Sequence, residues 1–155
     1  MDFSEIGARG LVLLGCGKMG GAMLEGWLSG GLSPDAVWVI DPYPSEQVQA
    51  AGVHVNEPLP ASPAVLILAV KPQMMGEALG QVAALGGGDT LMVSIAAGTQ
   101  ISVFEEVFGK DTSIVRAMPN TPAERAIPLR GSSAAKVSVR MVLQRCWASI
   151  SPAPL

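Results

Sequence analysis

The chain has 155 residues, of which 49% are hydrophobic and 15% are charged. This composition favours a packed globular domain over a disordered chain. The net charge of −3 lacks the basic excess of nucleic-acid-binding proteins, so we predict no nucleic-acid partner. The apolar runs are far shorter than the ~20 residues of a membrane span. The two cysteines, Cys16 and Cys146, indicate no disulfide framework, so we expect a cytoplasmic protein.

The first predicted unit is a buried strand at 10–14 followed by an amphipathic helix at 18–28. The sequence GCGKMG between them matches G-x-G-x-x-G, a motif that binds dinucleotides when it joins a strand to a helix. Gly15 would allow the tight turn, Gly17 the approach of a pyrophosphate, and Gly20 the packing of the helix on the strand. The alternative is a glycine-rich turn without a ligand. The candidate residues are Gly15, Cys16, Gly17, Lys18, Met19 and Gly20.

A second strand is predicted at 36–40 and ends at Asp41, which is 21 positions after Gly20. A carboxylate there can accept hydrogen bonds from the adenosine ribose and would repel a 2′-phosphate, which favours NAD over NADP. The alternative is that Asp41 caps the turn before Pro42. A helix at 45–51 and a short strand at 53–55 follow. For His54, the only histidine, we expect a structural or surface role.

Residues 64–70 are the clearest buried strand, and Pro72 begins a predicted helix that runs to residue 85. Ligands of α/β sheets lie at the carboxyl ends of strands, so we expect cofactor contacts in the segment that follows this strand. There Lys71 would face the phosphates or the ribose; the alternative is an ordinary solvated lysine. The candidates in this segment are Ala69, Val70, Lys71 and Pro72.

The last predicted elements are a strand at 90–95, a helix at 101–108 and a strand at 113–116. Ala96 and Ala97 follow the first of these, and their small side chains would leave room for a nicotinamide; the alternative is a plain turn. The loop RAMPNTP follows the last strand and contains Asn120. The alternation of strands and helices predicts a Rossmann-like α/β fold, with a doubly wound, mostly parallel sheet and helices on both faces.

Together GCGKMG, AVKP, SIAAG and RAMPNTP resemble the pyrroline-5-carboxylate reductase family over residues 10–122. The resemblance implies hydride transfer from NADPH or NADH to the C=N carbon of a small imine, 1-pyrroline-5-carboxylate, in proline biosynthesis. It also implies cofactor contacts at Asn56 on the adenosine side and at Asn120 near the nicotinamide. Many members of the family favour NADP, contrary to the interpretation of Asp41, so the choice of NADP or NAD stays open. We predict no catalytic side chain and no metal site.

We predict two regions, a Rossmann-like domain at 1–122 and a divergent basic tail at 123–155. All 13 acidic residues lie at or before Glu124, whereas five of the 10 basic residues follow it. The family resemblance implies a helical C-terminal domain for dimerisation and substrate binding, which the tail does not match. We therefore expect a truncated or frameshifted reductase whose exposed sheet edge and apolar surface promote self-association.

Three hypotheses remain open from the sequence. The first is a reductase of the pyrroline-5-carboxylate type, and the second is a non-catalytic dinucleotide-binding module. The third is another imine or hydroxyacid reductase that shares this cofactor domain.

Overall fold

Residues 4–117, which are those described by this computed structural model, contain a six-stranded sheet with the order β3-β2-β1-β4-β5-β6. All of its neighbouring strands pair in parallel. The strand order reverses beside β1, where open α/β sheets bind ligands. The predicted Rossmann-like class is confirmed. The strands are β1 (Leu11–Leu14), β2 (Val37–Ile40), β3 (His54–Val55), β4 (Val65–Leu68), β5 (Leu91–Ser94) and β6 (Ile114–Arg116).

Five α-helices flank this sheet within the described part of the chain, and none of them has the length and apolar character to cross a membrane. The predicted helices at 18–28, 45–51 and 101–108 are confirmed to within two residues. A Gly109 with φ of +91° ends the last of them. The helices are α1 (Ser4–Arg9), α2 (Lys18–Ser29), α3 (Glu46–Ala50), α4 (Met75–Gly80) and α5 (Ile101–Phe108).

The sheet is buried on both faces, as the continuous apolar strands predict. Alternate residues of β1 enter different hydrophobic clusters: Leu13 packs in a cluster with Trp27 of α2, and Leu14 in a cluster with Phe104 of α5. Each of these four side chains is at most 3% exposed. Helices α1, α2 and α3 contribute to the first cluster, whereas α4 and α5 contribute to the second. The layers on opposite faces are those of a doubly wound fold.

The single helix predicted at 72–85 is wrong. The segment forms a 3₁₀ turn at Pro72–Met74, then α4, and then a second 3₁₀ turn at Ala83–Leu85. Gly80 ends α4, and glycine is among the weakest helix formers. After it, the Gln81 amide donates to the Ala78 carbonyl at 3.1 Å, a tighter bond than the four-residue bond of an α-helix.

Helix α1 was not predicted, and its contacts explain why it forms. Ile6 is 4% exposed in the core, and the Arg9 guanidinium lies at the amino edge of the sheet. There it donates to the carbonyl oxygens of Ser62, Pro63 and Asp89, each at 3.2 Å. These bonds join α1 to the loops before β4 and β5.

We expect Arg9→Ala to lower the free energy of unfolding by about 1–3 kcal/mol, because three backbone carbonyls lose a charged donor. Glu5→Ala is the matched control: it removes only the exposed ion pair that Glu5 forms with Arg9 at 2.8 Å. Such a pair contributes about 0.5 kcal/mol or less. Urea unfolding followed by circular dichroism measures both variants. Equal losses would show that the carbonyl contacts contribute nothing.

Candidate functional site

The loops that carry the candidate residues begin at the same level, at the carboxyl edge of the sheet. The register aligns Leu14 of β1 with Ile40 of β2 and with Leu68 of β4, and aligns Leu68 with Ser94 of β5. Just beyond β1, the Gly15 amide still donates to the Ile40 carbonyl at 2.8 Å. The loops that follow β1, β2, β4 and β5 therefore share one edge.

Gly15 makes the sharp turn that the sequence predicts. Its φ is +88°, a conformation that side chains rarely adopt, and it lies against the end of β4. An added Cβ would lie 2.7 Å from Cγ1 of Val70 and 3.0 Å from the carbonyl of Ala69. No other residue fits at this position without displacing β4.

Gly20 and Gly17 differ in the space around them. A Cβ at Gly20 would lie 2.5 Å from the carbonyl oxygen of Gly15, so only glycine lets α2 pack this closely on the turn. A Cβ at Gly17 would meet nothing within 4 Å. The fold thus requires Gly15 and Gly20 but not Gly17. The approach of a ligand at Gly17 remains a prediction.

The start of α2 presents main-chain N–H groups at this open surface. Gly17 is the N-cap residue of this helix, and no side chain caps it. The first amides of a helix lack intrahelical acceptors and lie at the positive end of the helix dipole. Lys18, the first helical residue, is exposed, whereas Met19 packs partly against the core. The open surface and the uncapped amides together fit a phosphate group.

Asp41 links the glycine loop to the end of β2. Its Oδ2 accepts a hydrogen bond from the Cys16 amide at 2.7 Å, and its Oδ1 accepts one from the Tyr43 amide at 2.8 Å. The second bond is the turn cap that was the alternative for this residue. Each carboxylate oxygen has a further lone pair, so the caps leave acceptor capacity for ribose hydroxyls.

Asn56 fixes the position of Asp41 through two reciprocal bonds. Its Nδ2 donates to the Asp41 carbonyl at 2.8 Å, and its Oδ1 accepts from the Asp41 amide at 3.0 Å. Asn56 has a φ of +53°, in the left-handed region that asparagine tolerates better than most residues. Only the family resemblance indicated Asn56; a positive-φ asparagine directly after a short strand is the signal that the residues themselves offered.

Cys16 is the free cysteine of the described residues, and it is buried. Burial, with a smaller contribution from the negative charge of Asp41, raises the pKa of the Cys16 thiol to about 11. The group is therefore a protonated thiol at neutral pH and not a nucleophile.

The loops after β4 and β5 complete this edge. Ala69 and Val70 contact Gly15, as described above, and Lys71 is exposed immediately before the 3₁₀ turn that Pro72 begins. One strand further along the sheet, Ala96 is 5% exposed and its amide donates to Oγ of Ser94 at 3.3 Å. Ala97 next to it is exposed. Asn120 lies outside the described residues, and within 4–117 no cluster of side chains suits a metal ion.

His54 has the structural role that we expected. Its ring stacks on Trp38 with a centroid distance of 4.5 Å. Its Nδ1 lies 2.8 Å from Oε2 of Glu57, and its Nε2 lies 3.1 Å from the carbonyl of Asp35. The hydrogen bond with Glu57 is the main cause that raises the pKa of His54 above its ordinary value, against a smaller lowering by burial.

We expect Glu57→Gln to return the pKa of His54 toward 6.5, measured from the imidazole proton shifts by NMR. Because the folded pKa is raised, the stabilisation by this pair is fully present below pH 6.5 and is lost as the pH rises through the folded pKa. Unfolding at several pH values should therefore show the stability difference between wild type and Glu57→Gln at low pH only. An unchanged pKa in the variant would contradict the assignment.

Comparison with known proteins agrees with this arrangement. The family model described as NADP oxidoreductase, coenzyme F420-dependent, matches residues 10–98, more than half of the chain. The pyrroline-5-carboxylate reductase of Escherichia coli (strain K12) is 36% identical over an alignment of 120 residues, and the match covers 71% of this chain and 44% of that protein. The chain thus spans less than half the length of this relative. The resemblance drawn from the motifs is confirmed for this N-terminal region.

Two solved structures have the same fold at lower identity. The pyrroline-5-carboxylate reductase of Coxiella burnetii matches with a TM-score of 0.73 and 22% identity, covering 89% of this chain and 56% of that one. The pyrroline carboxylate reductase of Plasmodium falciparum, solved with NADP bound, matches with a TM-score of 0.69 and 22% identity, covering 89% and 55%. At this identity the likeness shows the fold.

Proposed function

The chain belongs to the family described as coenzyme F420-dependent NADP oxidoreductases, and from this premise we propose that the carboxyl edge of its sheet binds a nicotinamide dinucleotide. The observation that carries the proposal is the contrast among the three glycines. Gly15 and Gly20 have no room for a side chain, whereas Gly17 borders open space at an uncapped helix start. If glycine were needed only for the fold of this loop, a residue with a side chain could replace Gly17, so the glycine at this position points to the close approach of a ligand.

In this proposal the main-chain amides at the start of α2 hold the pyrophosphate. Asp41, positioned by Asn56, binds the adenosine ribose. The segment from Ala69 to Pro72 borders the phosphates, and Lys71 offers them a positive charge. The small Ala96 and Ala97 leave space for the nicotinamide, and Asn120 is proposed there from the family resemblance alone.

We further propose that the reaction served is the reduction of 1-pyrroline-5-carboxylate to proline, as the name of the Escherichia coli relative indicates for that protein. A bound nicotinamide supplies the hydride that reduces a C=N bond. The protein orients the cofactor, and we assign no catalytic side chain. Cys16 is a protonated, buried thiol, and His54 is held by Glu57 and Trp38, so neither offers acid–base chemistry at this edge.

A second candidate is a dinucleotide-binding module without turnover, because the described residues offer a site for the dinucleotide and none to which we assign catalysis. Another imine or hydroxyacid reductase is the third.

Isothermal titration calorimetry with NADH and NADPH tests binding, and absorbance at the reduced nicotinamide band with 1-pyrroline-5-carboxylate tests turnover. Binding with turnover supports the reductase, and binding without turnover supports the module. Absence of binding to both nucleotides would contradict the proposed site.

A division at residue 122, a cytoplasmic location and self-association remain proposals. Residues 118–155 lie outside the described part of the chain. The buried, unpaired Cys16 is typical of a reducing compartment.

Exposed apolar side chains on α5, namely Ile101, Val103 and Val107, support self-association of the chain. Sedimentation velocity over a range of concentrations measures it.

A further inference from the structure

The carboxylate of Asp41 is fixed at the side of the site where the adenosine ribose would lie. Its two oxygens accept bonds from the Cys16 and Tyr43 amides, and Asn56 holds its backbone from the neighbouring strand. Four hydrogen bonds therefore orient one side chain and its backbone. This carboxylate cannot rotate away from a second anion without losing its bonds from the Cys16 and Tyr43 amides.

The stretch of sequence that contains β2 and Asp41 supplies no positively charged side chain. Residues 19–70 include no lysine and no arginine. Lys18 stands at the start of α2, and Lys71 follows β4, which is separated from β2 by β1. The single histidine, His54, is engaged with Glu57 and with the Asp35 carbonyl.

The segment after Asp41 offers hydroxyl groups but no positively charged side chain to a phosphate. It reads Asp-Pro-Tyr-Pro-Ser-Glu, with Pro42 and Pro44 offering no backbone N–H. The Tyr43 amide already donates to Asp41, and the Ser45 oxygen accepts from the Val48 amide at 3.3 Å as the cap of α3, which leaves the neutral Ser45 O–H as a donor. A 2′-phosphate carries about −1.5 to −2 charges at neutral pH and needs basic partners.

We propose that this site selects NADH over NADPH, with Asp41 as the specificity-determining residue. The inference rests on the proposed function, because it concerns which dinucleotide the same site accepts. It departs from the NADP in the description of the family and in the Plasmodium falciparum structure. The ribose 2′-hydroxyl can donate to the Asp41 carboxylate, whereas a 2′-phosphate faces a fixed like charge.

Calorimetric titration of the whole chain with NADH and NADPH tests the inference, and we expect NADH to bind about tenfold more tightly or more. Asp41→Asn removes the charge and keeps an acceptor, so it should shrink this ratio by weakening NADH and strengthening NADPH. Tyr43→Arg adds a cation beside Asp41 without touching the core, because Tyr43 is 89% exposed and its backbone amide is retained. It should strengthen NADPH binding alone. Tyr43→Gln is its matched control and should leave the ratio unchanged.

The outcomes separate this inference from the proposed function. Equal or tighter binding of NADPH in the wild type would overturn the selectivity and leave the dinucleotide site intact. If neither Asp41→Asn nor Tyr43→Arg changed the ratio of the NADH and NADPH affinities, Asp41 would not be the residue that determines the selectivity. If neither nucleotide binds, the proposed function fails and the selectivity fails with it. Because Tyr43→Arg does not alter Asp41, it keeps the test decisive even if Asp41→Asn unfolds.

Discussion

Replacing Gly17 with valine is expected to preserve the fold and to weaken NADH binding about 100-fold or more, because a side chain would occupy the space that a pyrophosphate must enter. A Cβ at Gly17 meets no atom within 4 Å, and its φ of −72° and ψ of −153° are those of extended backbone, outside the left-handed region that favours glycine. The melting temperature should therefore stay close to that of the wild type while binding is lost. Calorimetry and thermal unfolding on the same preparation measure both quantities.

Gly21→Ala is the matched control for this experiment. Gly21 lies in the first turn of α2, and an added Cβ would be no closer than 4.0 Å to the Cys16 carbonyl oxygen. Alanine there favours the helix by about 0.5–1 kcal/mol, so this variant should bind NADH normally and melt slightly higher. Normal binding by Gly17→Val would show that the ligand does not approach this loop.

Gly20→Ala is expected to differ from Gly17→Val, because its main effect should be a lower stability of the fold and not a direct loss of NADH binding. The added Cβ would lie 2.5 Å from the Gly15 carbonyl oxygen, a backbone atom that cannot move without displacing the turn. Overpacking of this kind costs about 1–3 kcal/mol, and each kcal/mol lowers the melting temperature of a chain of this size by about 2–4 °C. Thermal unfolding by calorimetry measures the change.

Gly76→Ala in α4 provides the control for helix propensity, because an added Cβ there meets nothing within 4 Å. It should stabilise the protein slightly. If Gly20→Ala were as stable as Gly76→Ala, the close approach of α2 to the Gly15 turn would not be a requirement of the fold. The pair separates the intrinsic preference of alanine for helices from the steric contact.

The sheet and the glycine loop could be predicted because their signals are local. A buried parallel strand is a continuous apolar run, and the spacing of Gly15, Gly17 and Gly20 within a strand–turn–helix specifies the turn. Helix α5 was predicted with its observed bounds because its apolar period ends at Gly109. Asp41 was placed correctly for the same reason, since it directly follows a clear strand.

The rest depends on contacts between residues that are distant in the sequence. Arg9 reaches the Asp89 carbonyl, 80 positions away, and no local pattern indicates that α1 is held in this way. Asn56 bonds to the backbone of Asp41 from the end of the neighbouring strand β3, 15 positions away, and the residues alone did not indicate this pairing. The division of the predicted helix at 72–85 reflects the weak helix preference of its glycines, which the apolar period conceals.

The most direct test of the central claim is an amide NMR titration of the ¹⁵N-labelled protein with NADH. If main-chain amides at the start of α2 hold the pyrophosphate, Gly17, Lys18 and Met19 should show the largest shifts. The amides near Arg9, at the opposite edge of the sheet, should stay in place. Saturable binding that leaves the Gly17 to Met19 amides unshifted would contradict the claim.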